Sequence, residues 1–279
     1  MTTTLRPTGP LQRESDGGQS RRYEVCVNSR PVGRAEIATS PAFGATVGTI
    51  RSLEIDEADR RRGRGTVAAL AAEEALRGWG CKQVHVSVPP QARAAARLVT
   101  ALGYTERGRN MLKDLPDTPP ALPDGVEGRP LSEAEFPQWL AEAIESYAQN
   151  WIERGVPPEE ARAKSEADHR TSLPQGLATP EVWINVLVHE GTVVGRLHVG
   201  RREMHPGEEV AYVYDVAVDQ GQRGRGHGRS LMLLAERVAL DAGDRRIGLH
   251  VFAGNTPALR LYESLGYVTT AVNSFKQLL

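Results

Sequence analysis

The chain has 279 residues, 40% of them hydrophobic and 25% charged, with a formal net charge of -1. That length suits two domains of ordinary size, and the balance excludes a fibrous chain, a wholly disordered one and a nucleic-acid binder held by bulk charge. Two cysteines, Cys26 and Cys81, each in an apolar stretch, give no disulfide framework, and no apolar run approaches the roughly 18 to 20 residues of a membrane span.

Residues 1–21 are rich in Thr, Gly, Ser and charge and lack the apolar core of a signal peptide, so they read as a disordered tail on a cytoplasmic protein. Ile50 to Ile55 reads as a strand running into the loop Arg60-Arg61-Arg62-Gly63-Arg64-Gly65. A helix over Thr66 to Arg77, stopped by Gly80, precedes a strand at Gln83 to Val88, a second helix, the turn Leu102-Gly103-Tyr104 and a last strand. Four prolines between Lys113 and Gly125 exclude a helix interior or central strand there and mark a linker. Helical patterning follows at Ser132 to Glu145, opened by the capping box Ser132-Glu133-Ala134-Glu135, and at Pro157 to Ser172. Val210 to Val218 then runs into Arg223-Gly224-Arg225-Gly226-His227-Gly228, a helix over Ser230 to Ala242, Gly243, a strand at Arg246 to Phe252 and the turn Leu265-Gly266-Tyr267.

The second series repeats the first. One constant offset aligns the two Arg/Gly loops and the two Leu-Gly-Tyr turns, and Val32-Gly33-Arg34 matches Val194-Gly195-Arg196 with the offset changed by one residue. The chain is a duplication of a mixed α/β unit: a first copy at 22–113, a linker at 114–125 and a second copy at 126–279. A strand entering a Gly-rich loop before a helix N-terminus is an anion-binding arrangement that suits a pyrophosphate, although a tight connection alone would also use it. Rossmann and Walker fingerprints are absent.

Val216-Ala217-Val218, the loop Gln222 to Gly228, the strand Leu249-His250-Val251-Phe252 and the segment Asn255 to Tyr267 together resemble the GNAT acetyltransferase superfamily, well over 126–279 and partially over 23–113. Ser172 to Pro180 with Tyr212-Val213-Tyr214-Asp215 is similar to a bacterial subgroup of it. The resemblance implies a twisted mixed sheet flanked by helices in each copy, with acetyl-CoA as co-substrate, no metal, and direct attack by a primary amine of a small molecule or a peptide N-terminus. It assigns the pyrophosphate to the backbone of Arg223, Gly224, Arg225, Gly226, His227, Gly228 and Arg229, and the pantetheine and thioester oxygen to Val216, Ala217 and Val218. Asn255 would bond the pantetheine arm or the acceptor side, and Tyr262 would protonate the leaving thiolate. Each has a plainer reading: Tyr262 as a core aromatic, Asn255 as the N-cap before Thr256-Pro257, Arg223 as a solvated charge.

The general base stays open among Asp215, Glu208, Glu209 and an ordered water. Strict alternation along the strand sets Tyr212, Tyr214 and Val216 on one face and Val213, Asp215 and Ala217 on the other. Ser132 to Ser172 would cover an acceptor pocket, offering Glu142, Glu145, Tyr147, Trp151 and Glu153 to a cationic amine. The histidines show no metal-ligand spacing. In the first copy, Ala92 stands at the position of Asn255 and Val99 at that of Tyr262, so that copy reads as degenerate. A CoA-binding sensor or scaffold without turnover is the rival reading. Nucleic-acid or membrane partners are not expected, and monomer or homodimer stays open.

Overall fold

The structure, a computed structural model, describes residues 2–44, 46–153, 156–205 and 207–278. It divides into two compact units, one comprising Met1–Asn110, Val251–Thr256 and Thr269–Leu279, the other Met111–His250 and Pro257–Val268. The first unit begins with β1 (Thr3–Pro7), β2 (Gln12–Arg13), β3 (Gln19–Val27), β4 (Arg30–Thr39) and β5 (Val47–Ile55). Residues expected as a disordered tail are thus strand: Thr3 to Pro7 pair antiparallel with Val27 to Tyr23 of β3. Composition misled there because an added strand needs only a backbone ladder and one apolar anchor. Leu5 is that anchor, packed against Val25, Val27, Val32 and Ala68, and Arg6 pairs with Glu24 across the two strands.

Next come α1 (Arg64–Gly78), β6 (Gln83–Val88), α2 (Arg93–Ala101) and β7 (Thr105–Asp114). Strand order in this unit is β1-β3-β4-β5-β6, with β2 on β3. Only the β5·β6 pairing is parallel, so the sheet is mixed. Ala68, Ala72 and Leu76 of α1 are fully buried, and the Cys81 thiol sits with Ala72 and Leu76 in the core while Cys26 is buried elsewhere, both free. Arg22–Glu36 and Arg34–Glu54 ion pairs lie across β3, β4 and β5, at positions where β-strand alternation leaves a polar row.

The second unit holds β8 (Val126–Pro130), α3 (Phe136–Ile152), α4 (Pro158–Ser172), β9 (Val182–His189), β10 (Thr192–His205), β11 (Glu208–Val218) and α5 (His227–Asp241). β12 (Arg246–Phe252), α6 (Thr256–Ser264) and β13 (Val268–Gln277) complete the chain. Strands run β12-β11-β10-β9-β8, parallel only between β11 and β12. α5 covers one face, where Leu234 lies against Gly128 and Leu231 against Gly195 with no room for a Cβ. α3 lies on the other, burying Trp139 and Ala143 against Ile184, Val186 and Val188, and α4 packs against α3. The Glu135 carboxylate accepts from the Ser132 amide at 2.9 Å and hydroxyl at 2.6 Å, so the expected capping pair forms one turn ahead of α3 itself. Leu173 and Leu177 of the segment after α4 close the same core.

The last strands are exchanged. β13 pairs antiparallel with β6, Val272 to Gln277 facing Val88 to Gln83, and so completes the first unit. Conversely Met111–Asp114 of β7 belong to the second unit, where the Leu115 amide donates to the Arg245 carbonyl at 2.8 Å. The same cluster marks both exchanges. Lys276 reaches Glu73 at 2.7 Å beside the ring of Tyr104, and Lys113 reaches Glu236 at 2.6 Å beside that of Tyr267.

Candidate active site

The site begins with a fault in β11. His198 pairs with Asp215 but Val199 pairs with Val213, which leaves Tyr214 as an extra residue, a β-bulge. Contacts show its effect. Arg196 and His198 of β10 reach Glu142 and Trp139 on α3, so they share that helical face with Asp215 and Ala217, their partners in register. Tyr214 is on this face too, stacked on His198 at 5.1 Å between ring centroids, and Tyr212 lies 5.0 Å from Tyr214. Alternation had set Asp215 opposite Tyr214; the bulge overrides it and brings both to one side.

The bulge also coincides with the end of strand pairing. β11 meets β12 only at Ala211, Tyr212 and Val213, so residues 214–218, with Val216, Ala217 and Val218 among them, have no register partner on that side. Here peptide N–H groups can serve a ligand without breaking a ladder. Past Val218 the chain turns into the Arg/Gly loop, where Gly224 and Gly226 take φ of 78° and 88°, a region costly to any residue with a Cβ. Gly226 starts α5 without a side-chain cap, so the first amides of the helix, at His227 and Gly228, keep their positive end open. A Cβ on Gly224 or Gly226 would meet nothing within 4 Å, whereas one on Gly228 would lie 3.4 Å from Leu261 of α6 and 3.9 Å from Val218. The cradle is therefore open backbone held against β11 and α6, which fits a pyrophosphate approached closely by N–H groups.

The arginine side chains of the loop do other work. Arg223 donates its Nε to the Val218 carbonyl at 3.3 Å and Arg229 donates to the Ser264 hydroxyl at 2.7 Å, so both tie the loop down. Arg60 makes the same bond to Ile55 at 2.7 Å in the first copy. His227 is buried, 5.0 Å from the ring of His189, and desolvation lowers its pKa with help from that neighbour, which keeps a neutral ring at the helix start.

Tyr262 is on α6, 7% exposed, with its ring 5.9 Å from that of Tyr267. Burial and then the negative charge of Asp215 push its pKa up to about 12, so the phenol keeps its proton. Asp215 keeps 30% of its side chain open yet lies deep enough that desolvation raises its pKa; the Arg196 guanidinium, 3.4 Å away, pulls it back. Arg196 also donates to Glu142 at 2.7 Å, linking β11, β10 and α3 through one guanidinium. His198 is 3% exposed and desolvation pushes it down to about 3. His169, on the last turn of α4, is felt electrostatically by both Asp215 and His198 and lies 6.0 Å from the ring of Tyr147.

Of the acceptor-side residues expected from sequence, Glu142 and Tyr147 are brought to this cluster. Trp151 is buried with Ala148 and Ala161 between α3 and α4, Glu145 pairs with Arg162, and Glu153 is exposed at the end of α3. Glu208 pairs with Arg246 and Glu209 is exposed, both at the far end of β11. Asn255 directly precedes α6, exposed, and groups with the first unit. Sequence reasoning missed Arg196, His169 and His198; Arg196 had been aligned with Arg34 as part of the repeat, but its partners lie on distant elements. Among the described residues no group of three or more His, Cys, Asp or Glu is placed to hold a metal ion.

The first copy keeps the frame of this site. It has a bulge at Arg51, β5·β6 pairing that ends at Thr49, and a left-handed Gly63 starting α1. Its counterparts of Asn255 and Tyr262 are both apolar. Ala92 starts α2 without a cap, Val99 packs in the core, and Asp59, buried in the loop, is claimed by Arg64 and by Arg30 at 2.8 Å.

The acetyltransferase (GNAT) family model matches residues 3–104 and 139–267. The chain is 32% identical over 152 residues to YycN of Bacillus subtilis (strain 168), named an uncharacterized N-acetyltransferase, a match covering 53% of this chain and 96% of the relative. It is 31% identical over 220 residues to the mycothiol acetyltransferase of Thermomonospora curvata, covering 78% of this chain and 70% of that one. Among solved structures, a GCN5-related N-acetyltransferase from Sphaerobacter thermophilus superposes with a TM-score of 0.58 at 19% identity, over 92% of this chain and 80% of that chain. A tandem GNAT protein from the clavulanic acid biosynthesis pathway superposes at 0.51 and 18% identity, over 93% and 83%, and shows the same fold. Two matches of one family model along a duplicated mixed α/β chain leave one conclusion: the chain belongs to the GNAT acetyltransferase family, in its tandem form, and is an acyl-CoA-dependent N-acyltransferase.

Proposed function

We propose that the second copy transfers an acetyl group from acetyl-CoA to a primary amine, with the first copy retained as a degenerate partner. The observation that carries this reading is the convergence, in one unit, of a bulged strand released from its neighbour, an uncapped Gly-rich helix start and a buried, protonated Tyr262 beside Asp215. In this reading the loop from Arg223 to Arg229 holds the pyrophosphate through its amides, and Val216 to Val218 hold the pantetheine and the thioester oxygen. Tyr262 gives its proton to the departing thiolate, and Asp215 draws in a cationic amine and keeps Tyr262 neutral until then. Similarity to proteins named mycothiol acetyltransferases favours a small-molecule acceptor over a peptide N-terminus.

The test is thiol release from acetyl-CoA across small amines and short peptides, comparing the wild type with Tyr262→Phe. Amine-dependent release that drops about 100-fold or more in the variant, with acetyl-CoA binding kept, supports the reading. Binding of acetyl-CoA without release on any amine would instead favour a sensor that holds CoA without turnover.

A further inference from the structure

Resting on that reading, we infer that His169 is the group that takes the proton from the acceptor amine. Its Nδ1 lies 2.8 Å from the backbone carbonyl of Ser165, one turn earlier in α4. A carbonyl oxygen only accepts, so Nδ1 must carry the hydrogen, and in the neutral ring the lone pair is then on Nε2. The ring is held in place from below. Ser165 is fully buried and its hydroxyl donates to the Ile144 carbonyl at 2.7 Å, which ties this turn of α4 to α3. Tyr147 meets the His169 ring edge to face at 6.0 Å.

The other titratable groups of the cluster suit proton removal less well. Asp215 and Glu142 share the Arg196 guanidinium, and His198 is buried, stacked between Tyr214 and the edge of Trp139. His169 is half-buried on α4, which packs against α3. Tyr147 on α3 meets its ring, and Asp215 on β11 and His198 on β10 interact with it electrostatically; Arg196 on β10 joins that Asp215 to Glu142 on α3. Asp215 and Glu142 both face the guanidinium of Arg196, and a primary aliphatic amine is an ammonium at neutral pH, so the acceptor must lose a proton before it can attack.

The step balances as follows. The ammonium gives one proton to Nε2 of His169, and the freed nitrogen pair forms a bond to the thioester carbon as the C=O pair moves onto oxygen. When that pair returns, the C–S bond breaks and sulfur leaves with the Tyr262 proton. The new amide nitrogen loses its second proton to the phenolate, and His169 releases the first to solvent. The products are the acetamide, free CoA thiol and one proton.

The experiment is a pH profile of kcat/KM for the wild type, His169→Gln and Tyr262→Phe with one accepted amine. His169→Gln should lose 100-fold or more at neutral pH, keep its acetyl-CoA affinity, and recover toward wild type as pH rises and the amine deprotonates unaided. A packing role would give no such recovery. An unchanged rate and profile in His169→Gln, with Tyr262→Phe inactive, would overturn this inference and leave the acetyl-transfer reading standing; no amine-dependent release by the wild type would overturn both. Should the variant fail to fold, nitrogen-15 spectra of the wild type decide, since a neutral His169 carrying its hydrogen on Nε2 contradicts the assignment.

Discussion

Tyr262 and Asp215 are coupled charges, and the coupling has a sign that can be measured. The carboxylate opposes formation of a tyrosinate beside it, adding to a desolvation that already holds Tyr262 near 12. Asp215→Asn removes that opposition, so the Tyr262 pKa should fall below the wild-type value, visible as earlier growth of tyrosinate absorbance relative to a Tyr262→Phe control. An unchanged titration would mean that the two groups do not face one another. Tyr262 was legible in the sequence because its distance from Asn255 and from the Arg/Gly loop is a local pattern. Arg196 and His169 were not. Their meaning comes from Glu142, Asp215 and Ser165, which fold onto them from other elements or fix a tautomer that no residue type announces.

At the scale of elements, the strand–loop–helix of each copy could be read almost whole, since a Gly in the left-handed region before an amphipathic run fixes where α1 and α5 begin. The bulge could not. Val210 to Val218 alternates well enough to read as regular strand, and only pairing with β10 shows that Tyr214 is extra. The two equivalent glycines provide a matched test of which copy works. Gly63 and Gly226 have φ of 74° and 88°, and a Cβ on either meets nothing within 4 Å. Replacing each with Ala should therefore cost a similar 1–2 kcal/mol or so of stability, from backbone strain alone. Their kinetic effects should differ: Gly226→Ala places a methyl in the cradle and raises KM for acetyl-CoA, while Gly63→Ala leaves KM unchanged. An equal rise in both would give the first copy a share in turnover.

For the whole molecule, the duplication was legible and the exchange of last strands was not, because the charged residues that anchor the last strands are the same in both copies. Lys113 and Lys276 are equivalent, as are Glu73 and Glu236, so the sequence allows each lysine to meet either glutamate. The structure pairs Lys276 with Glu73 and Lys113 with Glu236. The Glu236 side chain is 1% exposed and that of Glu73 5%, so removal of either lysine leaves a buried charge without its partner. Lys113→Met should cost about 3 kcal/mol by this principle, and Lys276→Met, whose lysine is 24% exposed, somewhat less. Burial raises the Glu236 pKa and Lys113 lowers it, so the loss in Lys113→Met has a definite pH dependence. It is absent where Glu236 is protonated in both the folded wild type and the folded variant, and it grows as pH rises above the wild-type folded value toward the still higher value of the variant. Double-mutant cycles by chemical denaturation then read the connectivity directly. Coupling should be found between Lys113 and Glu236 and between Lys276 and Glu73, and none between Lys113 and Glu73 or Lys276 and Glu236. The reverse pattern would mean that each copy keeps its own last strand in solution, and β13 would then belong with the fold that carries Tyr262.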